Sequence, residues 1–227
     1  MNIPLTAKSR SITRVPWQPS TGAVACALAL GILMSGCSLL GSKKDSITVY
    51  APEPRIQPDP SWPRVAWQLA VTIPTASRVH DSLRIAVRPS SNELEVYKGA
   101  NWAKRPGEML EDAVLRALED SGHIPAVARP GSGIGADYKL VLDLRRFESD
   151  YAGQALPAAT IEVNAKLLHA QDQTVIGSRT FLQQQPSSTP AVPEVVMAFE
   201  AALGGISRDL AGWVLVEGDR HHRGARR

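Results

Sequence analysis

Cysteine and aromatic residues are scarce in this sequence, and their scarcity limits how the chain can be stabilised. The 227 residues include two cysteines, Cys26 and Cys37, and aromatic side chains make up 5% of the chain. One cysteine pair cannot supply the disulfide framework that holds small secreted domains together. Stability must come from a hydrophobic core, for which 44% apolar residues are sufficient. We expect one compact domain with extended ends.

Motifs that would indicate an enzyme are also missing. There is no Gly-x-Ser-x-Gly segment, and no serine has a motif-supported base. Asp143 and Glu148 differ in parity along one predicted strand, which places them on opposite faces and excludes a carboxylate pair. The glycine-rich run from Gly131 to Gly135 precedes a strand rather than a helix, so it predicts a turn and not a phosphate-binding loop. We therefore predict that the protein is not an enzyme and has no cofactor.

Metal-binding patterns are absent as well. The histidines are scattered among predicted loops and the tail, and none has a cysteine or carboxylate partner at metal-ligand spacing; they are His80, His123, His169, His221 and His222. The adjacent pair His221 and His222 is better interpreted as part of a flexible tail. The sequence predicts no metal site.

Acidic residues are missing from the first 36 positions, and this explains the net charge of +3. That segment contains Lys8, Arg10 and Arg14. The rest of the chain has 22 basic and 22 acidic residues. A basic balance that resides in a targeting segment does not indicate nucleic-acid binding, and we predict none.

The N-terminal region has the layout of a secretory signal peptide. A polar, cationic stretch is followed by the uncharged apolar run Ala23 to Met34 and then by Ser35 and Gly36. As a helix the apolar run would be about 18 Å long, well short of the roughly 30 Å hydrocarbon core of a bilayer. We therefore assign residues 1–36 to a signal peptide rather than to a membrane span.

The expected cleavage site resembles the bacterial lipobox, in which a cysteine is acylated and becomes the mature N-terminus. The matching residues are Met34, Ser35, Gly36 and Cys37, although Met34 stands where the lipobox usually has Leu, Val or Ile. The alternative is an ordinary signal peptide with a leftover cysteine. Cys26 would be removed with the signal peptide, so Cys37 would have no partner for an internal disulfide. We predict Cys37 as the lipid attachment site, carrying acyl chains such as palmitate.

The residue after the cysteine bears on sorting. Ser38 stands where lipoproteins retained at the inner membrane resemble one another in having Asp. By that resemblance the protein is expected at the periplasmic face of the outer membrane. Residues 37–45 would form the acylated cysteine and a short tether.

Periodicity predicts the elements of the remaining chain. Alternating or β-rich runs predict strands at residues 47–50, 65–73, 83–88, 94–97, 138–147, 159–168 and 174–182, the last two as an antiparallel hairpin. The proline-rich stretch 51–63 predicts an irregular linker. One amphipathic helix is predicted from Pro106 to Gly122 and another from Pro193 to about Val216, with a basic flexible tail at residues 218–227. Gly204 and Gly205 in the second helix suggest close approach of another backbone.

These elements define the expected fold class. Strands, a helix, further strands and a final helix predict an α+β domain at residues 46–217, with a mainly antiparallel sheet and two amphipathic helices packed on one face.

The order of these features resembles the ABC-type transport auxiliary lipoprotein family. The resemblance rests on the lipobox, the strand LRIAVR, Trp102 shortly before Pro106, the segment ADYKLVLDLRRFES and a last helix that contains AGWVL. It covers residues 46–217. The tyrosine-rich start usual in the family is replaced by Thr48-Val49-Tyr50-Ala51, and Pro74-Thr-Ala-Ser stands in place of its Pro-x-Tyr-Leu segment.

The resemblance implies a function that the composition alone does not. It implies an accessory or docking subunit that works with an MCE-domain periplasmic protein and its ABC permease and ATPase, moving phospholipids or related amphiphiles between the two membranes. Trp102 is a possible partner contact, although a core position is the favoured interpretation. The alternative function is a periplasmic lipid-binding carrier with a ligand slot between sheet and helices.

Overall fold

The fold was obtained as a computed structural model, which describes residues 46–226. The predicted signal peptide, Cys37 and the tether lie outside the described residues. The described part has nine strands and two helices. The strands are β1 (Thr48–Tyr50), β2 (Leu69–Val71), β3 (Thr75–Ala76), β4 (Arg84–Arg88), β5 (Glu95–Trp102), β6 (Val127–Ala128), β7 (Tyr138–Asp150), β8 (Ala158–His169) and β9 (Val175–Pro186). The helices are α1 (Pro106–Ser121) and α2 (Val192–Ala225).

The long strand β7 organises the sheet. One of its edges pairs with β8, which pairs in turn with β9. Both ladders are antiparallel, and the β8–β9 hairpin is the one that the sequence predicted. Along its other edge, β2, β3 and β4 follow one another from the start of β7 to its end, and all three run parallel to it. Beyond these short strands, β6 pairs with β2, β5 with β4, and β1 with β5.

The α+β class is confirmed, but the prediction of a mainly antiparallel sheet needs correction because the sheet is mixed. The pairs β1–β5, β2–β6, β2–β7, β3–β7 and β4–β7 are parallel. Side-chain periodicity shows which residues share a face and not which way neighbouring strands run, so the sequence pattern could not reveal this. The predicted strand at 65–73 is reduced to β2, and β3 and β6 are too short to show any period.

Helix α1 begins and ends where the sequence predicts. Pro106 occupies its first turn, and the Glu108 side chain accepts a hydrogen bond from the backbone N–H of Arg105. Gly122 ends the helix in the left-handed conformation, with φ 62°, and its N–H donates to the carbonyl of Glu119. A residue with a Cβ would be strained there.

Helix α2 is longer than predicted. It continues to Ala225, through residues for which the sequence predicted a flexible basic tail. Two ion pairs along the helix, Arg220 with Glu217 and Arg223 with Asp219, fit this extension. No helix in the described part of the chain has the length and apolar character needed to cross a membrane.

The core lies between the sheet and α2, which packs on β8 and β9. The rings of Phe147 and Phe199 stack with centroids 4.9 Å apart. Trp102 meets both of them edge-on, at 5.8 Å and 5.2 Å. Helix α1 packs against α2 and β6. The placement of both helices on one face of the sheet stays a prediction.

The proline-rich stretch 51–63 has no helix or strand, as predicted, and it packs along α2. The ring of Trp62 occupies the space that a side chain at Gly212 would need, and Pro54 lies against Gly204. The close approach expected at Gly204 is therefore present, but it is made by a side chain rather than by backbone. The Arg208 guanidinium also donates to Asp59 at 3.0 Å.

Candidate functional site

The most unusual group of polar residues surrounds Glu148, near the end of β7. A bulge at Arg145 shifts the register, so that Leu144 pairs with Val163 and Arg146 with Glu162. Beyond the bulge, Phe147 takes the core-facing position. Arg146 and Glu148 therefore lie on the opposite face of the sheet from the core.

The carboxylate of Glu148 is fully buried, and the side chains of Arg88, Arg146 and His80 contact it. Arg88 donates from Nε to Oε1 at 2.8 Å and from Nη2 to Oε2 at 3.0 Å. Arg146 donates from Nε to Oε1 at 2.7 Å. His80 lies with Nε2 3.1 Å from Oε2, and its other ring nitrogen is 3.3 Å from the hydroxyl of Ser77. We refer to Glu148, Arg88, Arg146 and His80 as the Glu148 cluster.

The surroundings of Glu148 determine its charge state. Burial alone would raise the pKa of this carboxyl, but the hydrogen bonds from His80, Arg88 and Arg146 hold the pKa well below its ordinary value. A carboxylate that is ionised at every physiological pH and is saturated with donors cannot serve as a general acid. The Glu148 cluster is therefore suited to fixing side chains rather than to catalysis.

Two members of the Glu148 cluster reach an open cleft of about 630 Å³. Arg88 and Arg146 line the cleft together with Asp150, and further lining comes from Pro89, Ser90, Ser91, Ala152 and Gly153. Asp150 accepts a hydrogen bond from Nη2 of Arg146 at 2.5 Å and another from the backbone N–H of Ala152 at 2.9 Å. Two buried or nearly buried carboxylates thus orient both guanidinium groups toward the cleft.

The parity prediction for Asp143 and Glu148 was wrong. Asp143 pairs with Asn164 and Glu148 with Thr160, so the two carboxylates share a face. The bulge inverts the alternation between them. Their partners on β8 are four residues apart, so the carboxylates still do not form a close pair.

The two residues proposed from sequence as functional have different outcomes. Cys37 lies outside the described residues, so its acylation stays a prediction. Trp102 is 1% exposed and belongs to the aromatic core. This burial supports the favoured core interpretation over a contact with a partner.

The histidines do not gather around a metal ion. Within residues 46–226, no three histidine, cysteine or carboxylate side chains lie together in a metal-ligating arrangement. His80 is buried on Glu148, which the sequence pattern missed because the two residues are 68 positions apart. His221 extends from α2 to the hydroxyl of Tyr138, at 3.0 Å. The run from Gly131 to Gly135 leads into β7 without a helix, as predicted for a turn.

Comparison with known proteins identifies the family. Residues 48–211 match the family described as ABC-type transport auxiliary lipoprotein component. The crystal structure of XCC0632 from Xanthomonas campestris is similar to this chain with a TM-score of 0.76 and 56% sequence identity, covering 78% of this chain and 99% of the other. A second crystal structure, of an uncharacterized protein, shares the fold at 15% identity with a TM-score of 0.56, covering 73% of this chain and 97% of the other.

A curated relative is more distant and longer. Protein bll6063 of Bradyrhizobium diazoefficiens is 24% identical over 148 residues, which are 65% of this chain and 39% of the relative. The chain thus spans about two fifths of the length of that relative. The family match, in contrast, covers most of the part that the structure describes. The chain belongs to the ABC-type transport auxiliary lipoprotein family, a family of transport components rather than of enzymes.

Proposed function

We propose that the protein is the docking subunit of an MCE-type ABC transporter that moves phospholipids or related amphiphiles between the two membranes. In this proposal it is held by lipid at the periplasmic face of the outer membrane. The observation that carries the proposal is the family match over residues 48–211, which includes almost every element of the described domain. The family description supports an association with ABC-type transport. The MCE partner and the lipid cargo are parts of the proposal that go beyond that description.

The anchor in this proposal is Cys37, freed by removal of residues 1–36. Several acyl chains on one residue hold a protein at a membrane far more firmly than a single chain. Residues 37–45 would then connect the anchor to β1. Anchoring raises the local concentration of the domain near the distal end of a transporter, and this favours docking without any large interface.

The packing of the interior supports docking over the alternative of a lipid carrier. A carrier would need a slot between the sheet and the helices. Trp102, Phe147 and Phe199 fill that position and are each at most 1% exposed. Acyl chains could enter only if these rings moved apart.

Co-purification tests the docking proposal. The full chain is produced with an MCE protein, permease and ATPase from the same organism, and the MCE protein is isolated through a tag in mild detergent. We expect the lipoprotein to be retained. An unrelated outer-membrane lipoprotein, produced at the same level, controls for detergent micelles that hold two proteins by chance. Absence of the lipoprotein from an intact MCE complex would contradict the proposal.

Replacement of Cys37 tests the anchor separately. Cys37→Ser removes the sulfur that accepts diacylglycerol, so we expect no lipid-modified form and a loss of tight membrane association after the membranes are washed. Cys26→Ser is the matched control, because Cys26 lies in the segment that is expected to be removed. Mass spectrometry of the N-terminal peptide and membrane fractionation provide the measurements. Full acylation of the Cys37→Ser chain would show that the anchor lies elsewhere.

A further inference from the structure

The cleft in front of the Glu148 cluster lies at the end of the sheet where the chain comes in from the proposed anchor. Strand β1 runs parallel to β5, and the carbonyl of Ser46 lies 3.8 Å from the Cβ position of Gly99. Upstream of Gly99, β5 leads back through residues 89–94 to Arg88, which pairs with Asp150. Ser46 therefore lies beside the middle of β5, and the cleft lies farther along in the direction from which β1 enters.

The length of the tether limits how far Ser46 can lie from the bilayer. Residues 37–45 can extend by at most about 30 Å. With Cys37 acylated, Ser46 cannot lie farther than this from the membrane surface. Lipid headgroups are therefore phosphate groups within reach of this part of the domain. This step rests on the anchor in the proposed function.

The guanidinium groups in the cleft retain unused donors. Each guanidinium has five N–H bonds. Arg88 uses three of them, two on Glu148 and one on the carbonyl of Ser91 at 3.2 Å. Arg146 uses two, on Glu148 and on Asp150. Among the described residues, this leaves donors on both side chains, held in fixed positions at the wall of the cleft.

Fixed guanidinium donors suit a phosphate group, because its oxygens accept several charge-assisted hydrogen bonds in a planar fork geometry. The hydroxyl groups of Ser90 and Ser91 line the same cleft and add further donors. The charges of Arg88 and Arg146 are balanced by those of Glu148 and Asp150. Because Glu148 and Asp150 repel an isolated phosphate, a ligand with a cationic group next to its phosphate, facing Asp150, suits this site better.

We infer that this cleft binds the phosphodiester headgroup of a zwitterionic lipid of the phosphoethanolamine type while the acyl chains stay in the bilayer. Arg88 and Arg146 hold the phosphate, and Asp150 accepts from the ammonium group. This is recognition of a membrane surface and differs from carriage of a lipid inside the domain.

The segment 46–227 is suitable for the test. Every core residue identified in the described part lies between Trp67 and Leu215, so this segment contains that core. Dihexanoyl phosphatidylethanolamine, below its micelle concentration, is titrated into the labelled segment, and backbone amide shifts are followed by NMR. We expect saturable shifts at residues 88, 90, 91 and 150–153. Dihexanoyl phosphatidylglycerol and inorganic phosphate should bind at least about fivefold more weakly, since neither has a cation for Asp150.

Ser90 offers a matched pair of variants that leaves the Glu148 cluster intact. It is exposed, lines the cleft and follows Arg88 by two positions, on the side where the phosphate is held. Ser90→Asp places a carboxylate beside the phosphate and should bind the lipid about tenfold more weakly than Ser90→Asn, which has the same shape and keeps a donor there.

Three results would overturn the inference. They are the absence of saturable shifts at these residues, equal binding by Ser90→Asp and Ser90→Asn, and binding of phosphatidylglycerol or inorganic phosphate at least as tight as that of phosphatidylethanolamine. The titration uses no transporter component. Its failure alongside successful co-purification would remove headgroup recognition and leave the docking function standing.

Discussion

Replacement of Glu148 by Gln is expected to lower the free energy of unfolding of the segment 46–227 by about 3–5 kcal/mol at neutral pH. The carboxylate is fully buried, and it accepts hydrogen bonds from Arg88 and Arg146 and lies within hydrogen-bonding distance of His80. An amide has nearly the same shape, but one of its ends donates rather than accepts. Gln would therefore leave the partly buried guanidinium of Arg88 without its paired carboxylate and Arg146 with Asp150 alone. Urea denaturation followed by circular dichroism measures the loss.

Glu162 provides the control for this substitution. It lies beside Arg146 in the β7–β8 ladder, and its side chain is 26% exposed with one long ion pair to Arg145, at 3.6 Å. Because exposed ion pairs contribute little, Glu162→Gln should cost no more than about 1 kcal/mol. Equal losses for the two variants would contradict a special role for Glu148.

The same residue predicts how stability depends on pH. The pKa of Glu148 is lower in the folded protein than its ordinary value of 4.5. A carboxyl with a lowered folded pKa contributes stability that is fully present above its unfolded pKa and is lost as the pH falls toward the folded pKa. We expect the unsubstituted segment 46–227 to lose stability steeply below about pH 4.5. Glu148→Gln should show a shallower dependence there, because it lacks this proton uptake on unfolding.

One pH profile would contradict the assignment of this stability loss to Glu148. If the two proteins lost stability in parallel between pH 5 and the acid limit of folding, Glu148 would not be the group that titrates. The measurement is urea denaturation of both proteins at each pH. The curves are fitted with one common slope, so that a change in midpoint reports a change in stability.

Local signals predicted the parts of the fold that depend on neighbouring residues. Pro106 and Gly122 mark the first helix because a ring without an N–H suits a first turn and a left-handed residue suits a C-terminus. The alternation predicted the core-facing residues of β8, and those of β7 as far as Leu144. The family resemblance, now confirmed, carried the functional class.

The Glu148 cluster depends on contacts that no local signal encodes. His80 and Arg88 reach Glu148 from 68 and 60 positions away. The bulge did leave a trace in the sequence, since the apolar positions change from even numbers at Leu144 to an odd number at Phe147, with two arginines between them. That break in the period could have placed Arg146 and Glu148 on the outer face. It could not have shown what meets them there.

The second large effect concerns Trp102. Trp102→Ala is expected to lower the free energy of unfolding by about 3–5 kcal/mol, because it removes a buried indole that meets Phe147 and Phe199 edge-on and leaves a cavity. In the described structure its indole N–H has no hydrogen-bond partner. Trp102→Phe keeps an aromatic ring and loses no hydrogen bond, so its cost should be smaller, about 1–2 kcal/mol.

The two interpretations of Trp102 predict opposite patterns in two measurements. If Trp102 is a core residue, its replacement lowers the urea midpoint but leaves capture by the MCE protein unchanged in any variant that still folds. Trp102→Phe should be such a variant. A partner contact would weaken capture by both variants at unchanged stability, since hot-spot tryptophans lose binding energy when they are truncated. Because Trp102 is 1% exposed, a partner could reach it only if the strand β5 moved away from α2. We therefore expect normal capture of Trp102→Phe, and reduced capture of this folded variant would place the docking surface at β5.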